Sequence, residues 1–235
     1  MRIANVVFAI VLAACGGASV PVEYGAEYLG AKYVNDPLGE GAGYDADPLI
    51  RNDAFDCQTY VETVLACGDV AKLTQIRYSD GVPEFTHRNH FFSADWVANN
   101  SNLLSNVSHK FGPAAVRTGT IDKKSWFKKM HNMNVDVAPV DVSMEYVPYY
   151  SIKKFDVSSP MVVAFVVSNP ATVKKIGSDI LVSHVGLLLP GGVLRHASSA
   201  NGRVVDTDFR EYVATRGAAI TNLGVAFFKI KEFCK

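Results

Sequence analysis

The sequence predicts an α+β fold in which one helix is laid against an antiparallel β-sheet, and three observations lead there. Tyr60, Val61, Val64 and Leu65 recur at helical spacing behind Cys57, and five β-branched or apolar runs crowd the C-terminal third. Between them, roughly residues 69–157, aromatic and charged residues mix with little sustained period, which reads as a large insertion between helix and sheet. The chain has 235 residues, 49% of them hydrophobic, enough to bury one good core, so residues 16–235 are read as a single domain.

Residues 1–15 read as a targeting leader. Arg2 supplies a positive start, and residues 3–14 are apolar apart from Asn5, too few to span a bilayer as a mature helix. Leu12-Ala13-Ala14-Cys15-Gly16-Gly17 resembles the lipobox of bacterial lipoproteins, which implies lipidation and membrane anchoring at Cys15. An ordinary signal peptide, cleaved nearby with Cys15 discarded, is the other reading. Either one sends the chain to the bacterial cell envelope or periplasm.

Residues 23–56 are rich in Gly, Asp and Pro and read as a short helix followed by a long surface loop. Asp56 stands where an N-cap would, so a helix is expected to start at Cys57. Within the insertion one helix is expected near residues 122–131. The runs 161–168, 180–189, 193–198, 203–209 and 225–231, separated by turn signals such as Pro190-Gly191-Gly192 and Asn201-Gly202, predict an antiparallel meander.

Charge narrows the partners. Lys plus Arg and Asp plus Glu both total 23, so there is neither an electrostatic footprint for nucleic acid nor a polybasic patch for anionic lipid. Membrane contact is expected only through the anchor, and the chain is expected to be a monomer. The cysteines stand at 15, 57, 67 and 234. Cys67 and Cys234 can pair, which leaves Cys57 free, but spacing fixes no connectivity.

A thiol on the first turn of a helix faces the positive end of the macrodipole and unsatisfied N–H groups, which favour thiolate and lower its pKa. The same N–H groups suit the oxyanion of a tetrahedral intermediate. The competing reading of Cys57 is a buried structural cysteine. A thiol nucleophile works with an imidazole that a third polar group orients. His184 is a polar residue in an apolar run, beside Gly186, whose missing side chain is expected to let the Cys57 helix approach. If Pro190-Gly191-Gly192 forms the hairpin loop, Gly186 faces His196, and His184 and His196 become diagonal neighbours on one face. A two-residue loop would put them on opposite faces.

Phe55-Asp56-Cys57 opening a helix, Ser183-His184-Val185-Gly186 in a strand and Arg195-His196-Ala197-Ser198 in the next resemble the NlpC-type papain-like peptidoglycan hydrolases, as does Leu29-Gly30…Tyr33 upstream. More narrowly, Phe55-Asp56-Cys57-Gln58-Thr59-Tyr60-Val61-Glu62, Arg77-Tyr78-Ser79-Asp80-Gly81 and residues 88–96 resemble the N-acetylmuramoyl-L-alanine amidase-like branch. The resemblance implies a papain-like core and a triad of Cys57 as nucleophile, His184 as base and His196 as orienting residue. It implies substrate contacts at Asp56 and Ser183, peptidoglycan as the substrate, and no metal or organic cofactor. The gap from Cys57 to His184 is longer than in compact NlpC-type domains, and Gln58-Thr59 replaces the usual Ser-Gly. The bond cleaved is therefore left open between the muramoyl–alanine amide and a bond within the stem peptide.

Arg77, Tyr78, His90, Asp95 and Trp96 are groove candidates, since a muropeptide offers carboxylates to arginine and sugar faces to an aromatic ring. Trp96 in the core and Arg77 in an ordinary ion pair are the competing readings. His87 and His90 with Glu84 and Asp95 are weak as a metal site, with no HExxH or paired cysteine motif beside them. Two other functions fit the same fold. A non-catalytic envelope-binding lipoprotein is disfavoured by the presence of both Cys57 and His184, and an acyl- or peptidyl-transferase would use the same triad.

Overall fold

In the computed structural model, which describes residues 24–233, the order of elements is β1 (Lys32–Tyr33), β2 (Ala54–Phe55), α1 (Cys57–Ala66), α2 (Val70–Arg77), α3 (Val97–Asn99), β3 (Leu104–Asn106), β4 (Ala115–Ile121), α4 (Lys123–His131), β5 (Val140–Pro148), β6 (Met161–Val167), α5 (Pro170–Ile176), β7 (Val182–Leu189), β8 (Val193–Ser198), β9 (Arg203–Asp208), α6 (Phe209–Arg216) and β10 (Asn222–Ile230). The leader with Cys15, and Cys234, lie outside the described residues.

All ten strands join one sheet in the order β2-β1-β9-β8-β7-β6-β10-β5-β4, with β3 also paired to β10, and the sheet curls into a half-barrel. β6 is the strand the molecule is built around. Its run of seven apolar residues is buried throughout, as a strand covered on both faces requires. Val162, Ala164 and Val166 meet Val61 and Leu65 of α1 and Ile76 of α2 in one cluster. Met161, Val163 and Phe165 meet Phe209 and Val213 of α6 in another.

The expected helix at Cys57 and the strands β6 to β9 stand where the sequence pattern puts them, and β6 to β9 form a meander. Three expectations are corrected. Residues 69–157 are not a loop-bearing insertion outside the sheet, because β3, β4 and β5 all lie within it. β10 leaves the meander: α6 carries the chain back so that β10 pairs with β6. Upstream of α1, the expected short helix is a single 3-10 turn (Ala26–Tyr28), and β1 then pairs parallel with β2 and antiparallel with β9.

α1 is fixed at three points. Asp56 and Thr59 close a capping box at its start: the Asp56 carboxylate accepts from the Thr59 N–H at 2.8 Å, and the Thr59 hydroxyl oxygen accepts from the Asp56 N–H at 3.0 Å. Its end is turned by Cys67 in the left-handed region, φ 59°. In between, Glu62 is buried and accepts from Arg77 Nε at 2.7 Å, Trp96 Nε1 at 3.0 Å and Gln58 Nε2 at 3.1 Å. Gln58 also donates to the Asn89 carbonyl, and Arg77 to the Leu49 carbonyl. One carboxylate thus gathers α2, the segment around Asn89 and the Trp96 turn onto the helix that carries Cys57.

Removing one partner of a buried ion pair strands the other charge at a cost of about 3–5 kcal/mol. Glu62→Gln is therefore expected to lower the unfolding free energy by about that amount in urea titrations, and Glu62→Met with Arg77→Met to recover part of it. A Glu62→Gln loss below about 1 kcal/mol would show that the network is not what seats α1.

Candidate active site

Cys57 is the first residue of α1, half-buried, and the free cysteine among the described residues; Cys67 is disulfide-bonded. His184 lies on β7 and His196 on β8. Leu187, Leu188 and Leu189 pair with Arg195, Leu194 and Val193, the register of a three-residue Pro190-Gly191-Gly192 loop, so the two histidines share a face. Their rings meet edge to face, with His184 Nε2 and His196 Nδ1 2.7 Å apart. On the far side His196 Nε2 is 3.4 Å from Thr207 Oγ1. Gly186 serves this pair and not the helix: a Cβ there would meet the Cβ of His196 at 3.0 Å and Leu194 Cδ1 at 3.0 Å. The expectation that Gly186 makes room for α1 is corrected accordingly.

A cleft passes on both sides of Cys57, Ser183 and His184. One arm, about 260 Å³, is walled by Phe91, Phe92, Trp126, Ile180 and His90. The other, about 450 Å³, is walled by His196, Tyr33, Asn201, Thr207, Tyr212 and Arg216. Ser183 is extruded by a bulge in β7, between the pairs Phe165–His184 and Val166–Val182, and its hydroxyl accepts from Arg216 at 2.8 Å.

Burial pushes the Cys57 thiol up to about 12, and the Asp56 charge adds to this; the backbone amides of Val185, Cys57 and Gln58 pull the other way without prevailing. The sequence-based expectation of a lowered thiol pKa is thus corrected: desolvation outweighs the helix N-terminus. Burial, the His196 ring and Arg216 hold His184 well below the usual imidazole range. Burial and Arg216 bring His196 to about 4. At neutral pH these shifts favour a thiol and two neutral imidazoles in the same cleft, with one proton between the histidine nitrogens.

The predicted residues separate into two groups. Cys57, His184, His196 and Ser183 come together at the cleft. His90 reaches its first arm, donating from Nε2 to the Phe85 carbonyl at 2.7 Å, and burial lowers its pKa to about 3. Asp56 is engaged in the helix cap. Arg77, Tyr78 and Trp96, expected in the groove, are 1%, 0% and 0% exposed, and this is a correction: Glu62 and the Gly39 carbonyl, which Tyr78 Oη bonds at 3.1 Å, hold their polar ends inside the core. Asp95 pairs with Lys123 at 3.1 Å. Sequence reasoning missed Trp126, Tyr212 and Arg216. Asp208, which caps α6 by accepting from the Glu211 N–H, was a readable signal for the helix that carries the last two.

Fold and site together define a mixed α+β protein whose cleft joins a helix-terminal thiol to a histidine pair. A sequence profile described as N-acetylmuramoyl-L-alanine amidase-like matches residues 23–220, and the chain belongs to that family. Among solved structures, a Legionella pneumophila protein of family DUF1460 is similar with a TM-score of 0.80 and 22% identity, over 89% of this chain and 87% of that one. An N-acetylmuramoyl-L-alanine amidase from Bacteroides uniformis is similar with a TM-score of 0.67 and 21% identity, over 90% of this chain and 98% of that one. At these identities the likeness is one of fold. Comparison with curated proteins returns no match.

A thiol pushed this high carries little thiolate at neutral pH, and thiolate is the species that alkylates. Carboxamidomethylation of Cys57 by iodoacetamide, followed on its peptide by mass spectrometry, is expected to accelerate continuously from pH 7 to pH 10. A plateau already reached below pH 6 would instead reveal a preformed thiolate–imidazolium pair.

Proposed function

We propose that the chain is a cysteine amidase of the NlpC-type papain-like branch that cleaves an amide bond of peptidoglycan, with Cys57 as nucleophile and His184 as base. The observation that carries this reading is the 2.7 Å contact between His184 and His196 in the cleft that Cys57 opens onto. If His184 Nε2 donates to His196 Nδ1, and His196 Nε2 in turn donates to Thr207 Oγ1, then His184 Nδ1 keeps its lone pair for the thiol proton.

The steps follow from that tautomer. As Cys57 Sγ bonds to the substrate carbonyl carbon, the thiol proton passes to His184 Nδ1, and the oxyanion forms at the N–H groups that start α1. Collapse of the intermediate breaks the C–N bond, and His184 returns the proton to the leaving amine. Water, with its proton taken by the same imidazole, then hydrolyses the thioester. Two buried neutral imidazoles suit this sequence, since His184 must be unprotonated to begin it. Family membership supports the muramoyl–alanine amide as the bond, and the leader over residues 1–15 supports export to the cell envelope, with Cys15 either lipidated or removed.

Digestion of purified peptidoglycan by the protein and by Cys57→Ala, read by mass spectrometry, tests the reaction. The unaltered protein is expected to release free stem peptides, and Cys57→Ala to lose at least ~10³-fold in rate. Truncated muropeptides in place of free stems would move the cut into the peptide. Equal digestion by both proteins would remove Cys57 from the chemistry.

A further inference from the structure

We propose that Arg216 is the carboxylate-binding residue of the larger cleft arm, so that the substrate presents a free carboxylate on the His196 side of Cys57; this rests on reading Cys57 as the nucleophile of that cleft. Arg216, the last residue of α6, lines the 450 Å³ arm together with Cys57, His184 and His196. Its guanidinium lies over the rings of Phe165 and Tyr212, with Cζ 5.4 Å and 5.8 Å from their centres. One terminal nitrogen donates to Ser183 Oγ and the Tyr149 and Tyr212 hydroxyls lie close to the guanidinium, while Nε is buried with no hydrogen bond of good geometry. An unpaired donor of this kind is costly unless a ligand completes it.

The contrast with the other buried and half-buried arginines sharpens the point. Arg77, Arg88, Arg117 and Arg195 each meet a carboxylate at 2.9 Å or less. Arg216 makes no ion pair among the described residues, although Glu211, on the same helix, lines the same arm. A place in the last turn of a helix accounts for a positive charge there. It does not account for a side chain laid across two aromatic rings toward the extruded Ser183. A planar guanidinium, fixed by those rings and with donors to spare, is built for a carboxylate. Tyr33, Ser198 and Asn201, which line the same arm, offer polar partners for a peptide backbone. The cation also disfavours protonation of His184 and His196, an effect that a bound carboxylate would offset.

Two haloacetyl reagents test this without any cell-wall substrate. Iodoacetate and iodoacetamide deliver the same carbon to Cys57, one bearing a carboxylate and the other an amide. The ratio of their alkylation rates, followed on the Cys57 peptide, is expected to fall about tenfold in Arg216→Gln and to be largely kept in Arg216→Lys. The iodoacetamide rate taken alone reports whether the variant site is intact. In the unaltered protein, an N-acyl dipeptide with a free C-terminus is expected to slow iodoacetamide alkylation of Cys57 more than its C-terminal amide does. An unchanged rate ratio in Arg216→Gln, or equal protection by acid and amide, overturns the assignment. The two readings fail separately. Intact peptidoglycan together with a shifted ratio would overturn the substrate and leave Arg216 in place, whereas digestion with no shift would overturn Arg216 alone.

Discussion

A carboxylate can be taken into a protein core only if its oxygens find donors there, and Glu62 meets that demand with side chains from three separate stretches of chain. Because Glu62 sits one and a half turns behind Cys57, satisfying it also fixes the axis of α1 and therefore the place where the thiol emerges. Arg88 repeats the device on the surface loop. It binds Asp36, Glu40 and Asp45 at 2.6–2.9 Å and holds that loop against the Phe85 and His90 region. Polar residues that look like groove chemistry in the sequence thus serve to hold the frame on which the cleft stands.

The cleft is governed by the same competition between solvation and partnership, with the opposite outcome. Cys57 and the histidine pair lose water, and the one opposing charge, Asp206 near His196, does not offset burial, so their neutral forms are favoured. The histidines then satisfy each other through one proton. That arrangement depends on the register of β7 and β8, on a glycine at 186 and on the Ser183 bulge, all within one hairpin.

What the sequence revealed and what it hid follow from locality. The Asp56 cap, the Cys57 helix and the β7–β8 register are fixed within a few residues, and a Pro-Gly-Gly loop was enough to pair His184 with His196. The crossing of β10 to β6 depends on where α6 packs, which neighbouring residues do not encode. β4 and β5 escaped notice because β4 alternates half-buried and exposed positions up to Ile121 and β5 buries only Met144 and Val147, so both carry little apolar signal. Arg77 and Trp96 were misplaced because an arginine or tryptophan reads alike whether it meets a ligand or a buried glutamate. The thiol pKa was misjudged because helix position is visible in sequence and desolvation is not.

The raised thiol has a bearing on chemical durability. Attack on peroxide and exchange with other disulfides both proceed through thiolate, so a cysteine that stays protonated at rest is a slow participant in either. The same burial that raises the Cys57 thiol slows both reactions. On the proposed mechanism its reactivity returns when a ligand fills the cleft and His184 takes the proton.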